Sequence, residues 1–207
     1  MKNIIFVCCL IVTALLGGLL YQQLNKSEPP EHALYYQQPR AINAFQLTAH
    51  DNSTFNNESF NGNWSFVFFG YTSCPDVCPT TLQEINFVYP ELKQVAENVQ
   101  ILLVSVDPNR DKPEKLAQYI RYFNSEFIAL TGGHDVLFPF ARNLGLMYAI
   151  TEDTNQSSYL VDHSASIVLV NPDGYVAAIF KPTHEPGQVP AIIGENLVSD
   201  FNRIVQL

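Results

Sequence analysis

The stretch FVFFGYTSCPDVCP, Phe66 to Pro79, decides how the rest of the chain is read. Four apolar residues, Phe66 to Phe69, run into Gly70, and cysteines follow at Cys74 and Cys78. A short aromatic run bounded by glycine predicts a buried strand. Pro75 and Pro79 punctuate a tight connection into a helix. Pro79 suits a first helical turn, where its missing N–H is not needed. The two thiols therefore fall where a strand leaves a sheet and a helix begins. A helix N-terminus stabilises anions and lowers thiol pKa values, which favours thiolates, the form that binds metals and attacks disulfides.

Downstream, Leu82, Ile85, Tyr89 and Leu92 share one helical face, and Pro90 predicts a kink or a break in that helix. Val99 to Val106 (VQILLVSV) is a second buried strand, suited to a sheet covered on both faces. Asp111, Pro113 and Glu114 mark the next helix start, with Leu116, Ile120 and Phe123 on its apolar face. Phe127 to Leu130 is a short extended piece, His134 to Leu144 a helix containing Pro139, and Met147 to Ile150 a strand, with Met147 in the core. Ser166 to Val170 is a third core strand. The turn Asn171 to Gly174 returns it to a hairpin partner, Tyr175 to Phe180. Val189 to Val205 reads as a C-terminal helix with Ile192, Leu197 and Ile204 buried. Upstream of the opening stretch, Ile42, Phe45 and Leu47 predict a first strand, and Asp51 to Asn63 turns around a short hairpin. This order predicts an α/β protein: a central mixed β-sheet flanked by helices, as in thioredoxin-like folds.

The chain has 207 residues, enough for one full-sized core plus an appendage. Its formal net charge of −9 argues against a nucleic-acid partner and allows a basic or cationic one. Of its four cysteines, Cys8 and Cys9 lie in the apolar N-terminus, so no disulfide scaffold is available. After Lys2, Ile4 to Tyr21 carry no charge, and as a helix would span roughly 27 Å, close to a bilayer core. No small-x-small cleavage site follows Leu20, which favours an uncleaved anchor over a signal peptide. The absence of arginine before Arg40 argues against a mitochondrial presequence. Lys2 on the short flank, with Glu28 and Glu31 beyond, keeps the N-terminus cytoplasmic. The expected organisation is thus a transmembrane anchor at 1–21, a polar linker at 22–40 and a soluble domain at 41–207. That domain would face the periplasm or extracytoplasmic space from a single pass through a bacterial inner membrane.

Cysteines at i and i+4 have three readings. A structural staple closing so short a loop would restrain little unfolded-state entropy. A redox-active pair ordinarily has two intervening residues, and here there are three. A soft-metal site suits thiolates, which select copper(I) or zinc, but two thiolates are too few for a closed zinc site. A further ligand is wanted, and His163, in Val161-Asp162-His163-Ser164 just before a core strand, is the best placed. The neighbouring Asp162 could orient the imidazole or tune the charge of the site. His32, His50, His134 and His184 read as solvated surface. Asp107, Pro108, Arg110 and Asp111 read equally as turn and cap residues or as flanks of the site.

Four segments carry a resemblance: FFGYTSCPDVCPTTL (68–82), VDPNRDKPEKLAQY (106–119), LTGG (130–133) and VDHSASIVLVNPDG (161–174). They span most of the domain, and in them the chain resembles the Sco/SenC family of thioredoxin-like copper proteins that help assemble the copper site of cytochrome c oxidase. The resemblance implies that Cys74, Cys78 and His163 ligate copper, as Cu(I) or Cu(II). It also implies an N-terminal anchor, and as partner the copper-bearing subunit of the oxidase, with other copper chaperones or thioredoxin-like reductases as further partners. The chain departs from the family at Asn52 and Asn63, where glycine and lysine are common. The alternative function is a membrane-anchored thiol-disulfide reductase using Cys74 and Cys78. Such enzymes place a cis-proline where this chain has Asp162-His163-Ser164, and the histidine favours metal delivery. A copper sensor is a third reading.

Overall fold

The computed structural model describes residues 10–18, 28–150, 154, 159–183, 187 and 189–207. Among these residues, from Ala33 onward, ten strands and four α-helices follow one another as β1 (Ala33–Ala41), β2 (Gln46–Ala49), β3 (Thr54–Asn56), β4 (Trp64–Gly70), α1 (Val77–Val95), β5 (Val99–Ser105), α2 (Pro113–Phe123), β6 (Ile128–Thr131), α3 (His134–Asn143), β7 (Tyr148–Ile150), β8 (Val161–His163), β9 (Ile167–Val170), β10 (Tyr175–Phe180) and α4 (Gly194–Ile204). Residues 10–18 are also helical.

The sheet is built on β4. Phe66, Val67, Phe68 and Phe69 are at most 1% exposed, and burying each contributes about 1.5–3 kcal/mol. Alternation sends Phe66 toward Phe201 of α4, at 5.0 Å between ring centroids, and Phe69 toward Phe140 of α3, at 5.9 Å. Helices thus cover both faces, which is why the strand reads as unbroken apolar sequence. The strand order is β1-β10-β9-β4-β5-β6-β2-β3. β4, β5 and β6 are parallel neighbours, joined through α1 and α2, whereas β9 runs antiparallel to β4. This is the expected α/β architecture with a mixed sheet.

Register fixes where function can sit. Phe68 pairs with Ile167, so β9 begins beside the end of β4. The residues preceding β9 therefore emerge at the same edge as Gly70 and the cysteines that follow it. That edge lies outside the carboxyl ends of the parallel strands, where α/β sheets place their sites.

Several expectations are corrected. Residues 33–40, the second half of the expected linker, belong to edge strand β1, which pairs with β10 with a register shift between Tyr35 and Arg40. One buried face suffices at an edge, and the irregularity breaks the alternation, so no period was visible. The buried carboxylate of Asp200 on α4 holds this strand's entry by accepting the backbone N–H groups of Glu31 (2.8 Å), His32 (2.7 Å) and Ala33 (2.6 Å). α1 runs unbroken through Pro90, because Ile85, Val88, Tyr89 and Leu92 bury its face on both sides of the proline. α4 starts at Gly194 rather than Val189: Ala191 bridges Thr183, and Glu84 accepts the Gly194 N–H at 2.8 Å. Met147 is 77% exposed, not core. It precedes β7, which among the described residues pairs with β8 alone, in a separate two-stranded sheet. Asn52 adopts φ 68°, the left-handed region that favours glycine and that asparagine tolerates.

Much of the anchor segment lies outside the described residues, as do Cys8, Cys9 and His184. Among the described residues no helix is long and apolar enough to cross a membrane.

Candidate metal centre

Cys74 lies in the loop after β4, and Cys78 in the first turn of α1. The backbone N–H of Cys78 donates to Cys74 Sγ at 3.3 Å, so the helix start feeds a donor directly to the sulfur. The Cys74 thiol is lowered from its ordinary value to about 4, chiefly by hydrogen bonding from the Cys78 side chain, with burial opposing. Cys78, fully buried, is pushed up, first by desolvation and then by the neighbouring Cys74. Without metal, the pair is therefore a thiolate at Cys74 beside a thiol at Cys78.

His163 ends β8 and brings Nε2 to 3.3 Å from Cys78 Sγ. Its Nδ1 lies 3.2 Å from the Ser164 carbonyl oxygen, which can only accept, so Nδ1 carries the hydrogen and donates it. That tautomer leaves Nε2 as the lone-pair nitrogen facing the sulfurs. Phe68 and Tyr71 present rings to the imidazole at 6.1 Å and 5.7 Å, nearly perpendicular. The two sulfurs and a ring nitrogen of His163 lie within 4.8 Å of one another. Ligand atoms bonded to one ion at about 2.0–2.3 Å stand roughly 3.3–4 Å apart, so the three donors need little movement to share a metal. Two thiolates and a neutral imidazole form a soft donor set suited to copper(I), with a nitrogen acceptable to copper(II).

The other candidates fall elsewhere. Asp162 is exposed on the opposite side of β8 from its neighbour His163; the Ser164 carbonyl, not this carboxylate, fixes the ring. His50 Nδ1 accepts the Ala129 N–H at 3.1 Å, and His134 Nδ1 pairs with the Tyr148 hydroxyl at 2.8 Å. Burial lowers the His134 pKa. His32 lies beside Glu31, at 4.0 Å. Asp107 and Asp111 are fully buried and brace the loops around the site. Asp111 accepts from the Thr72 backbone N–H at 2.9 Å and from Ser105 Oγ at 2.7 Å, tying the cysteine loop to β5. Asp107 pairs with Arg110 and accepts the Tyr159 hydroxyl.

Two close neighbours escaped sequence reasoning. Gly70 approaches so closely that an added Cβ would lie 2.9 Å from Cys78 Sγ. Tyr71 lies beside His163, and its place within the opening stretch was the one signal that could have found it.

Fold and site together define a thioredoxin-like protein with a cluster of two cysteines and an imidazole at the carboxyl edge of its sheet. The SCO1/SenC family model matches residues 35–197, and the chain belongs to this family. An SCO2-like protein of Rickettsia prowazekii is 32% identical over 172 residues, covering 80% of this chain and 84% of that protein. Among solved structures, Arabidopsis thaliana ScoI with copper bound superposes with TM-score 0.69 at 27% identity, covering 79% of this chain and 97% of that one. Apo Sco1 from Thermus thermophilus superposes with TM-score 0.70, also at 27% identity, covering 87% and 99%.

Proposed function

We propose that the chain is a membrane-anchored copper chaperone of a bacterial envelope, and that copper is its cargo, held by Cys74, Cys78 and His163. The observation that carries this reading is the convergence of those donors within 4.8 Å at the sheet edge. Family membership and the copper-bound Arabidopsis relative support it. Cys74 is partly exposed while Cys78 is buried, so an incoming donor meets Cys74 first. Ligand exchange would begin at that sulfur and pass the ion to the copper-bearing subunit of cytochrome c oxidase. Exchange with a disulfide of a partner protein, which would be reduced to two thiols as Cys74 and Cys78 are oxidised to a disulfide, would remove the thiolate donors and release the ion. The anchor at 1–21 would hold the domain on the extracytoplasmic side of the inner membrane. Mass measurement of the membrane-extracted protein tests this: residues before Gln22 should be retained, and a chain starting after Tyr21 refutes the anchor.

A second reading, thiol-disulfide reductase, draws on the same pair, because a low-pKa thiol beside a buried one suits attack and resolution. His163→Ala separates the two. Under the chaperone reading it impairs copper(II) binding and oxidase maturation in cells, yet leaves the Cys74–Cys78 disulfide able to form and be reduced. If maturation survives while the dithiol reduction potential moves strongly, the reductase reading replaces it.

A further inference from the structure

The imidazole of His163 is carried on a short strand of a two-stranded sheet, outside the main sheet that holds the thiols. Something must fix that strand against the cysteine loop, since a ligand even a few tenths of an ångström out of place binds poorly. The Ser164 carbonyl fixes ring tautomer but belongs to the same segment, so it cannot set the segment's position.

Tyr71 bridges the two parts. It directly follows β4, is 2% exposed, and precedes the cysteine loop. Its ring meets the His163 imidazole edge to face, at 5.7 Å and 88°. Its hydroxyl accepts the backbone N–H of Val161 at 3.3 Å, two residues before His163 on the same strand. The side chain therefore touches both ends of β8, once through backbone and once through the ligand ring. Tyr71 is itself held from behind. The Arg110 guanidinium lies 5.6 Å from its ring centroid and 3.6 Å from that of Tyr159. Arg110 is paired with buried Asp107, and Asp107 also accepts the Tyr159 hydroxyl. Tyr159 and Val161 belong to the segment that delivers His163, so the Arg110 clasp grips that segment and Tyr71 together.

We propose that Tyr71, backed by the Arg110 clasp, is a positioning residue that sets His163 against the two sulfurs. This rests on the reading of His163 as a metal ligand. Tyr71 donates nothing to the ion; it acts through the imidazole. Its contribution should therefore exist only while the imidazole is present.

A double-mutant cycle on the reduced full chain tests this, using Tyr71→Leu and Tyr71→Phe, each alone and with His163→Ala. Copper(II) affinity is measured by chelator competition, and the ligand field by electron paramagnetic resonance. Tyr71→Leu should weaken copper(II) binding tenfold or more and shift the resonance parameters toward those of His163→Ala. In the His163→Ala background it should change affinity by less than twofold. Tyr71→Phe keeps the ring and loses the hydroxyl, so it should show a smaller loss, again confined to the His163 background. It keeps the test decisive should Tyr71→Leu not fold. Arg110→Lys, which retains charge but cannot stack on two rings, should resemble Tyr71→Phe. Equal losses in both backgrounds would make Tyr71 a general structural residue and overturn the proposal, as would no loss in either. If His163→Ala alone binds copper(II) as the parent does, the ligand reading fails, and that single arm identifies the failure.

Discussion

Replacing Gly70 with alanine places one methyl group against a proposed metal ligand. A Cβ there would lie 2.9 Å from Cys78 Sγ, 3.1 Å from Leu103 Cδ1 and 3.1 Å from Phe68 Cε1. Ordinary carbon contacts begin near 3.5 Å, so about half an ångström must be found. The backbone cannot supply it easily: Gly70 pairs with Ser105 on β5, and its carbonyl accepts the Val106 N–H at 2.9 Å. Leu103 and Phe68 are fully buried in the close-packed core, where side chains have few voids to move into. The Cys78 sulfur, at the end of its side chain, therefore yields most. Overpacking of this kind costs about 1–3 kcal/mol. A Cys78 sulfur pushed aside by about half an ångström and held there by the new methyl cannot close on an ion shared with Cys74 and His163 without strain, so copper(I) affinity should fall tenfold or more, about 1.4 kcal/mol. The assay is urea unfolding of the reduced, metal-free full chain, followed by copper(I) competition with a chromophoric chelator. Gly62→Ala is the control. Gly62 has φ +78° with open space around it, and it precedes the opposite end of β4. It should lose stability through strain while keeping the parent's copper affinity. Parental copper affinity in Gly70→Ala, or an equal copper defect in both variants, would refute the reasoning.

Asp200→Ala removes the acceptor for three backbone N–H groups. Hydrogen bonds to a charged group contribute roughly 1.5–3 kcal/mol each, but Glu31 and His32 are exposed and water can replace part of this. A loss of about 3 kcal/mol is expected by denaturant unfolding, with fast hydrogen exchange confined to β1; protection of β1 at the parent level would contradict it. Alkylation at the site, read residue by residue by peptide mass mapping so that Cys8 and Cys9 do not contribute, should be dominated by Cys74. Its thiolate is lost only as pH falls through about 4, so the rate should be flat from about pH 6 upward. A rate still climbing between pH 7 and 9 would count against a depressed Cys74.

What the sequence displayed and what it hid divide along physical lines. β4, β5 and β9 were legible because strands covered on both faces are unbroken apolar runs. The cysteine pair was legible because proline and glycine punctuation marks the strand-to-helix turn that carries it. His163 was reachable by asking which donor would complete two thiolates and noting its place before a core strand, and separately through the resemblance carried by VDHSASIVLVNPDG. β1 was hidden because an irregular edge strand has no clean period. The β7–β8 pairing was hidden because three-residue strands carry too little pattern to distinguish from loop, which is also why Met147 was misjudged as core. Asp200 looks like any polar helix residue until the chain folds its N-terminal segment onto it. Arg110, Tyr71 and Tyr159 come from three distant stretches, and nothing local signals that they meet.

The most direct test of the account is copper(I) titration of the reduced full chain, with Cys74→Ser and Cys78→Ser measured in parallel. The account predicts one copper per chain, with either serine variant losing most of the affinity, because soft ligation depends on thiolate sulfur. Copper(I) binding by either variant as tight as the parent's would contradict it.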